Sequence, residues 1–201
     1  MEHRTVGAGG ENHRLPLPLH CEWAWRAPPW AQPLQPASVA GLAAGAALAA
    51  GVTLHHDDPS GQVRYAQCAA PAGPAPFALA LEAAPFAGSF LSLAIDLPAA
   101  ARPLLPRHLL GVRIALAPLQ SGAVYLRLNI RHGPNTAQLL RALDAQLQGD
   151  GPTLVEFDLA YARFNARRVA KVWCDVILAG PGPLATELRE LAFTRRPRAE
   201  I

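Results

Sequence analysis

Short alternating segments separated by proline and glycine dominate the sequence after residue 50, and they restrict the fold more than any other feature. There are nine of them: GVTLHHDD, GQVRYAQCA, FALALEA, GSFLSLAIDL, HLLGVRIALAPL, AVYLRLNI, PTLVEFDLAY, VAKVWCDVILAG and TELRELAFTRR. Successive side chains of a β-strand point to opposite faces of its sheet. Repeated short strands with turn residues between them therefore predict an all-β sandwich.

One of these segments, within residues 123–136, runs from an alternating strand directly into a polar loop. Its apolar row comprises Val124, Leu126, Leu128 and Ile130, and its polar row comprises Tyr125, Arg127, Asn129 and Arg131. The apolar row is expected to enter the core. The polar row is a candidate ligand-binding face, because planar polar side chains hydrogen-bond hydroxyl-rich ligands and aromatic rings stack on sugars.

His132 and Asn135 extend this candidate site into the loop RHGPNT. Gly133 permits an unusual backbone angle and Pro134 fixes its own φ, so the loop is expected to be rigid. Rigid loops often carry binding function, and a structural turn is an equally good interpretation. A catalytic role for His132 is weaker, because the sequence shows no recognisable serine or cysteine partner.

Length and composition indicate one domain, since 201 residues that are 51% hydrophobic can bury a core. A formal net charge of +3 gives no nucleic-acid footprint. No signal peptide or membrane anchor is recognisable, because a span takes about 20 strongly apolar residues. Cys21, Cys68 and Cys174 are odd in number and scattered, which excludes a disulfide framework and favours a buried thiol at Cys174.

The chain divides into residues 1–22, a flexible arm, residues 23–50, a strap rich in Trp and Pro followed by an Ala/Gly loop, and residues 51–201, the sandwich. The strap contains three tryptophans, Trp23, Trp25 and Trp30. They either pack on the core, which is the preferred interpretation, or form a platform for a partner. Residues 37–50 are predicted to be a loose loop or one or two weak helical turns. Residues 135–148 fit a helix or a strand, and both alternatives stay open.

Two acidic motifs carry candidate chemistry. The run His55, His56, Asp57 and Asp58 suits a turn better than a metal site, because neighbouring strand residues point to opposite faces. Glu156 and Asp158 share one face of their strand, and two carboxylates at this spacing are compatible with glycoside hydrolysis. A charge ladder is preferred for them, with Arg127 and Arg131 as partners and Asp175 joining it.

Basic residues cluster late in the sequence: Arg163, Arg167, Arg168 and Lys171 in a loop-like stretch, then Arg195, Arg196 and Arg198 after the final strand. Solvated surfaces are the default for both groups, and docking on an acidic partner surface is the functional alternative. The spacing lacks the aromatic residues that single-stranded nucleic acid would require.

The pieces NIRHGPNT, VEFDLAY and FTRRPRAE, with FAGSFLSLAIDLP and HLLGVRIAL, resemble an uncharacterised bacterial domain family of unknown function. The strand pattern is also similar to carbohydrate-binding jelly rolls. A member of this domain family that is as short as this chain resembles the head-spike base of gene transfer agents. Gene transfer agents are phage-like particles whose spikes attach to the capsular polysaccharide of recipient cells. The likeness to jelly rolls is one of fold pattern, which by itself does not fix a function.

The resemblance implies a non-enzymatic structural and binding protein without metal or cofactor, made in the bacterial cytoplasm and then assembled on a released phage-like particle. Its expected partners are capsid-vertex and spike-fibre proteins, further copies of itself, and polysaccharide, but neither nucleic acid nor membrane. The alternative is a free-standing soluble carbohydrate-binding module. A glycoside hydrolase acting through Glu156 and Asp158 is the third hypothesis.

Overall fold

The structure, a computed structural model, describes residues 14–60, 62–119, 122–143, 151–180 and 182–199. Within these ranges the chain forms strands with few helical turns. The strands are β1 (Trp23–Arg26), β2 (Ser38–Ala40), β3 (Ala46–Ala49), β4 (Val52–His56), β5 (Val63–Ala69), β6 (Phe77–Ala83), β7 (Phe90–Asp96), β8 (His108–Leu116), β9 (Ala123–His132), β10 (Asn135–Leu143), β11 (Thr153–Asp158), β12 (Val169–Ala179) and β13 (Leu184–Pro197). One short α-helix, α1 (Pro28–Ala31), follows β1, and 3-10 turns lie at Ala99–Ala101, Leu159–Tyr161 and Ala166–Arg168.

The strands form two antiparallel sheets packed on each other. The seven-stranded sheet has the order β11-β8-β13-β6-β5-β2, and β1 also pairs with β13. The six-stranded sheet has the order β10-β9-β12-β7-β4-β3. Buried apolar residues from both sheets belong to one core cluster. The predicted all-β sandwich is therefore confirmed.

Each of the nine predicted segments contains one strand, because the alternation that defines it also defines which side chains are buried. In β9, for example, Val124, Leu126 and Leu128 are fully buried. Trp30, Phe157 and Phe193 are the largest fully buried side chains. Burying such a side chain contributes on the order of 1.5–3 kcal/mol. Cys174 is fully buried as predicted, and burial raises the pKa of its thiol.

Residues 23–50 differ from their prediction, because they contribute three strands to the sandwich instead of a strap and a loose loop. β1 pairs with β13, β2 with β5, and β3 with β4. The alanine-rich sequence has weak strand propensity, but pairing with strands already in the sheets decides the outcome. Gly45 and Gly51 have positive φ angles of 86° and 72° and allow the turns on either side of β3. The sandwich thus begins at β1 and not at residue 51.

Residues 135–143 form a strand, β10, along an edge of the six-stranded sheet. Nine consecutive residues pair with β9, from Asn135 opposite His132 to Leu143 opposite Val124. The leucine spacing of four that suggested a helix is an even number, so it also places Leu139 and Leu143 on one face of a strand. Pairing with the preceding strand through a two-residue turn decides between the two periods. Residues 144–148 of this open prediction lie outside the described residues.

The predicted flexible arm falls partly outside the description, since residues 1–13 are not described. Residues 14–22 form no strand or helix, and the backbone N–H of Glu22 donates to the carbonyl oxygen of Arg195 at 2.8 Å. The arm is therefore attached to the sandwich at its last residue. Among the described residues, no helix combines the length and apolarity needed to cross a bilayer.

Candidate functional site

The outer surface of the six-stranded sheet gathers polar side chains from four neighbouring strands around one tryptophan. Tyr125, Arg127, Asn129 and Arg131 share this surface, as the alternation of β9 predicts. We call it the tryptophan face; its residues are Gln138 of β10, Tyr125, Arg127, Asn129 and Arg131 of β9, Lys171, Trp173 and Asp175 of β12, and Asp96 of β7. The candidate residues therefore belong to a larger set than the sequence suggested.

Trp173 lies near the middle of this face, with a polar residue on each flank. Its strand register places Asn129 on one side and Asp96 on the other. The ammonium group of Lys171 lies 5.6 Å from the centroid of the indole ring and 2.8 Å from a carboxylate oxygen of Asp96. Trp173 remains partly exposed. An accessible indole surrounded by donors and acceptors suits a ligand that has both an apolar surface and hydroxyl groups.

A hydrogen-bonded array fixes the side chains beside Trp173. Asn129 is fully buried beneath its neighbours; its Nδ2 donates to Asp175 Oδ2 at 2.8 Å, and its Oδ1 accepts from Gln138 Nε2 at 2.8 Å. Arg127 Nε donates to the same Asp175 oxygen at 2.8 Å. Asp175 is itself 4% exposed, so the carboxylate is held from two directions with little access to water. Because the hydrogen bonds of this network are already formed, its side chains are oriented before a ligand binds.

Tyr125 and Arg131 mark the two ends of the tryptophan face along β9. Tyr125 is partly exposed and Arg131 is exposed, and neither side chain has a hydrogen bond or ion pair within the described ranges. Trp173 lies opposite Asn129, which is four residues from Tyr125. At about 3.3 Å per residue, the two aromatic side chains lie about 13 Å apart along the strands. This length suits an extended chain of several sugar rings.

The loop RHGPNT is a two-residue hairpin turn between β9 and β10, and Gly133 has φ +59°. Glycine at the first central position is typical of such hairpins. His132 Nδ1 accepts from the backbone N–H of Asn165 at 3.3 Å, and its ring meets Phe164 edge-on. His132 thus holds the neighbouring loop in place, while Asn135 is exposed at the start of β10.

The three strap tryptophans pack on the molecule. Trp30 is fully buried and donates its indole N–H to the carbonyl oxygen of Leu188 at 2.8 Å. Trp25 packs against Phe193 at 5.8 Å between ring centroids, and Trp23 is also partly buried against the core. The preferred core-packing interpretation agrees with this arrangement. Trp30 cannot be part of a platform for a partner, because it is fully buried.

Glu156 and Asp158 lie on the outer surface of the seven-stranded sheet, and their partners differ from the predicted ones. Glu156 accepts two hydrogen bonds from Arg196, at 2.9 and 3.0 Å, and Asp158 lies 3.5 Å from Arg198. Arg127 and Arg131 are on the other sheet, so they cannot join this ladder. Because β13 extends to Pro197, Arg195 and Arg196 belong to the strand and do not follow it. The predicted charge ladder is present, but its positive charges come from arginines at the end of β13 and directly after it.

The same outer surface contains a fully buried carboxylate. Glu190 is 0% exposed and lies 2.7 Å from Arg26 of β1 and 2.8 Å from Arg113 of β8. Arg26 also donates to the carbonyl oxygen of Pro74, whose loop covers this place. A further pair joins Arg64 and Glu82 near the other edge. We call this surface, formed by the outward residues of β1, β11, β8, β13, β6 and β5, the paired face.

The run HHDD forms the end of β4 and a turn, which agrees with the preference for a turn over a metal site. Asp57 Oδ1 accepts from the backbone N–H groups of Ser89 and Phe90, and Asp58 Oδ1 accepts from those of Ser60 and Ala87. Hydrogen bonds from the hydroxyls of Ser89 and Ser60 lower the pKa of Asp57 and Asp58. These carboxylates join two loops. No group of metal-ligating side chains is found among the described residues.

Sequence reasoning missed Trp173 as a site residue. The segment VAKVWCDVIL was used only to predict a buried thiol at Cys174. The same alternation that buries Cys174 turns Lys171, Trp173 and Asp175 outward together. That alternation was the available signal. The pairing of β12 with β9, between segments about 40 residues apart, was not visible in the sequence, so nothing placed Trp173 beside Asn129.

Several solved structures are similar to parts of this chain. The enzymatically active domain of tailspike protein 4 from bacteriophage CBA120 has a TM-score of 0.49 and 6% identity, over 71% of this chain and 19% of the tailspike chain. A carbohydrate-binding module of the β-sandwich superfamily has a TM-score of 0.46 and 12% identity, over 71% of this chain and 56% of the module chain.

The family 11 carbohydrate-binding module of a Clostridium thermocellum cellulase has a TM-score of 0.45 and 6% identity, over 75% of this chain and 90% of the module. The chain therefore spans less than two thirds of the tailspike chain and of the first module chain. With TM-scores below 0.5, these similarities do not assign a function to it.

At the level of sequence, no curated protein matches this chain. A family model does match it, over residues 1–201, and this model describes a family of unknown function, DUF6478. The match agrees with the resemblance to an uncharacterised domain family and extends it to the full sequence. The chain belongs to the DUF6478 family of unknown function.

Proposed function

We propose that the protein binds carbohydrate on the tryptophan face and does not catalyse a reaction there. The observation that supports this most is the partly exposed Trp173, which has the half-exposed side chain of Arg127 on its β9 side and that of Asp96 on its β7 side. A sugar ring offers C–H groups on one face and hydroxyl groups around its edge. An indole ring with hydrogen-bonding groups on both sides complements both surfaces.

The side chains around Trp173 favour hydroxyl recognition because they are already oriented. Arg127 and Gln138 are anchored by the array around Asn129 and Asp175. Side chains that are ordered before binding lose less conformational entropy when the ligand arrives. Tyr125, about 13 Å along the strands, provides a second aromatic contact for a longer glycan.

A binding role without hydrolysis is supported by the state of the two candidate catalytic carboxylates. Glu156 accepts two hydrogen bonds from Arg196, and Asp158 caps the following turn while lying 3.5 Å from Arg198. A general acid must be free to reach the leaving group of the substrate, and a carboxylate that already accepts hydrogen bonds from a guanidinium group is not. Both residues are also on the sheet opposite to the tryptophan face.

The test is calorimetric titration of the purified protein with a panel of neutral and acidic polysaccharides. Trp173→Ala is expected to weaken binding by up to about tenfold, because stacking on one aromatic ring contributes on the order of 0.5–1.5 kcal/mol. Tyr161→Ala is the matched control, since Tyr161 is 72% exposed and belongs to the loop after β11. Equal affinity of Trp173→Ala and the unsubstituted protein would contradict the proposal.

The finer proposal is that this carbohydrate-binding sandwich is the base of a head spike on a phage-like gene transfer agent particle, made in the bacterial cytoplasm and carried on the released particle. It would mount a spike fibre at a capsid vertex and support attachment to capsular polysaccharide. The supporting observation is the segment before β1, where Leu17 and Leu19 are 49% and 79% exposed. Two exposed leucines on one segment without strand or helix offer apolar area that docking on another protein would bury.

Co-sedimentation with purified capsids and spike fibres tests this assembly role. Leu17→Ser combined with Leu19→Ser is expected to abolish co-sedimentation, whereas Leu154→Ser, which replaces another exposed leucine on β11, is expected to retain it. If the unsubstituted protein sediments with neither capsids nor fibres, the spike-base role is wrong. Polysaccharide binding would then remain as the function of a free-standing module.

A further inference from the structure

One end of the tryptophan face carries six basic side chains that come from three separate segments. They are Arg102 from the connection between β7 and β8, Arg131 from β9, and Arg163, Arg167, Arg168 and Lys171 from the loop before β12 and its start. We call this group the basic end. The sequence showed only the last four as a cluster, because Arg102 and Arg131 are distant along the chain.

Contacts between the three segments place these side chains together. The carbonyl oxygen of Arg168 accepts from the N–H of Gly133 at 3.1 Å, in the turn that follows Arg131. Arg102 Nη1 donates to the carbonyl oxygens of Val169 and Ala170 at 3.3 and 3.4 Å. Lys171 is the strand partner of Arg131. These contacts bring Arg102, Arg131, Arg168 and Lys171 together, and Arg163 and Arg167 belong to the loop that His132 holds through the N–H of Asn165.

Most of this charge is not compensated. Arg131, Arg163, Arg167 and Arg168 are exposed, and none of the four forms an ion pair with a carboxylate in the described part of the chain. Lys171 has Asp96 at 2.8 Å, with both side chains about two-fifths exposed, at 42% and 43%. The paired face differs, because its arginines Arg26, Arg64 and Arg196 have carboxylate partners.

The basic end is continuous with the proposed sugar site. Lys171 contacts both the indole ring of Trp173 and Asp96, and Arg131 is two residues from Asn129 in β9. A glycan chain that stacks on Trp173 and continues toward the hairpin turn would meet exposed guanidinium groups. Guanidinium groups form paired, charge-assisted hydrogen bonds with carboxylates and sulfates.

From this continuity we infer that the ligand of the tryptophan face is an acidic polysaccharide whose carboxylate or sulfate groups bind the basic end. The inference rests on the proposed function, since it names the ligand class of that same site. Trp173 accounts for stacking and is expected to act on neutral and acidic chains alike. The arginines account for the discrimination between them.

The experiment compares each acidic polysaccharide with a neutral form of the same backbone: polygalacturonate against its methyl ester, and a sulfated glycan against its desulfated product. The acidic forms are expected to bind about tenfold more tightly at low salt, because one charge-assisted contact contributes about 1.5 kcal/mol. The difference is expected to shrink as salt screens the arginines. Duplex DNA serves as a polyanion without sugar hydroxyls suited to the face.

Two double variants with the same change in net charge separate the basic end from general electrostatics. Arg163→Gln with Arg167→Gln is expected to abolish the preference for acidic forms and to leave binding of neutral forms unchanged. Arg64→Gln with Arg189→Gln, on the paired face, is expected to keep the preference. Both variants alter exposed or half-exposed side chains, so both are expected to fold.

The outcomes distinguish this inference from the proposed function. Equal binding of acidic and neutral forms, or equal loss of preference in both double variants, overturns the inference and leaves carbohydrate binding intact. Binding of DNA as tight as that of the acidic glycans overturns it as well. Failure of every polysaccharide to bind removes the proposed function and the inference together, and acidic binding that survives Trp173→Ala unchanged removes the tryptophan face as the site.

Discussion

The tryptophan face and the paired face are built by the same alternation of strand side chains, yet they differ in what their charged groups contact. On the paired face, Glu190 and Glu82 each meet an arginine of a neighbouring strand, and Glu156 of β11 meets Arg196 of β13 across β8. On the tryptophan face, one buried array around Asp175 is satisfied internally, while Tyr125 and Arg131 have no partner within the described ranges.

This difference separates a surface that stabilises the sheet from one that is available to a ligand. A paired charge has little to gain from a ligand, because binding must first break the existing contact. An exposed guanidinium or phenol without a protein partner loses only water. The following predictions, ordered from the largest expected effect, test whether the two faces differ in this way.

The largest loss of stability is expected from Glu190→Ala on the paired face. The substitution leaves Arg26 and Arg113, whose side chains are 13% and 21% exposed, without the carboxylate that lies between them. Removing one partner of a buried ion pair costs about 3–5 kcal/mol. Urea denaturation measures this loss, and polysaccharide affinity is expected to stay unchanged.

Glu82→Ala is the matched control for that substitution. Its pair with Arg64 has side chains that are 43% and 59% exposed, and an exposed pair contributes about 0–1 kcal/mol. A similar loss of stability in both variants would show that burial of Glu190 is not what gives the paired face its structural role.

A smaller loss is expected from Asp175→Ala on the tryptophan face. The substitution removes the acceptor of Arg127 and of the fully buried Asn129, which costs about 1–3 kcal/mol. Unlike Glu190→Ala, it is also expected to weaken polysaccharide binding, because Arg127 is no longer held beside Trp173. Unfolding and titration on the same sample check both effects, and undiminished affinity would mean that the array does not prepare the site.

Glu156→Gln is expected to have a small effect, because its pair with Arg196 is on average about a third exposed, at 32% and 26%. The loss should not exceed about 1 kcal/mol, and polysaccharide affinity should not change. An assay for release of reducing sugar is the further measurement. Hydrolysis by the unsubstituted protein that Glu156→Gln abolishes would make the paired face catalytic and reverse the comparison.

The smallest effect concerns pH and His108, at the end of the seven-stranded sheet. Burial, helped by the nearby Arg195, lowers the pKa of His108 below its ordinary value of 6.5. The unfolded chain therefore takes up a proton at higher pH than the folded one, and stability is expected to fall as the pH drops below 6.5. Thermal unfolding between pH 8 and pH 5 measures this.

In His108→Gln the decline within this window should disappear. The pKa of Asp57 and of Asp58 is lowered from an ordinary value of 3.8, so the stability that they contribute is lost only at still lower pH. A decline near pH 6.5 that persists in the variant would assign it to another group.

The alternation of β9 was sufficient to predict both the buried row from Val124 to Ile130 and the outward row from Tyr125 to Arg131, because a strand has only two faces. It did not predict β3, whose alanines carry little strand preference and which forms through pairing with β4. In residues 135–143, leucines spaced four residues apart fit both the period of a helix and the period of a strand. The hairpin with β9 selected the strand.

The sequence by itself determined that this chain forms a β-sandwich and which side chains of each strand face outward, since both follow from local periodicity. The tertiary structure alone decided which outward side chains became neighbours. It joined Trp173 to Asn129, Glu156 to Arg196, and Gly133 to Arg168, across sequence separations that no periodicity spans. The reason is that strand order and register are set by packing of the whole core, so a surface shared by four strands exists only after the sheet has formed.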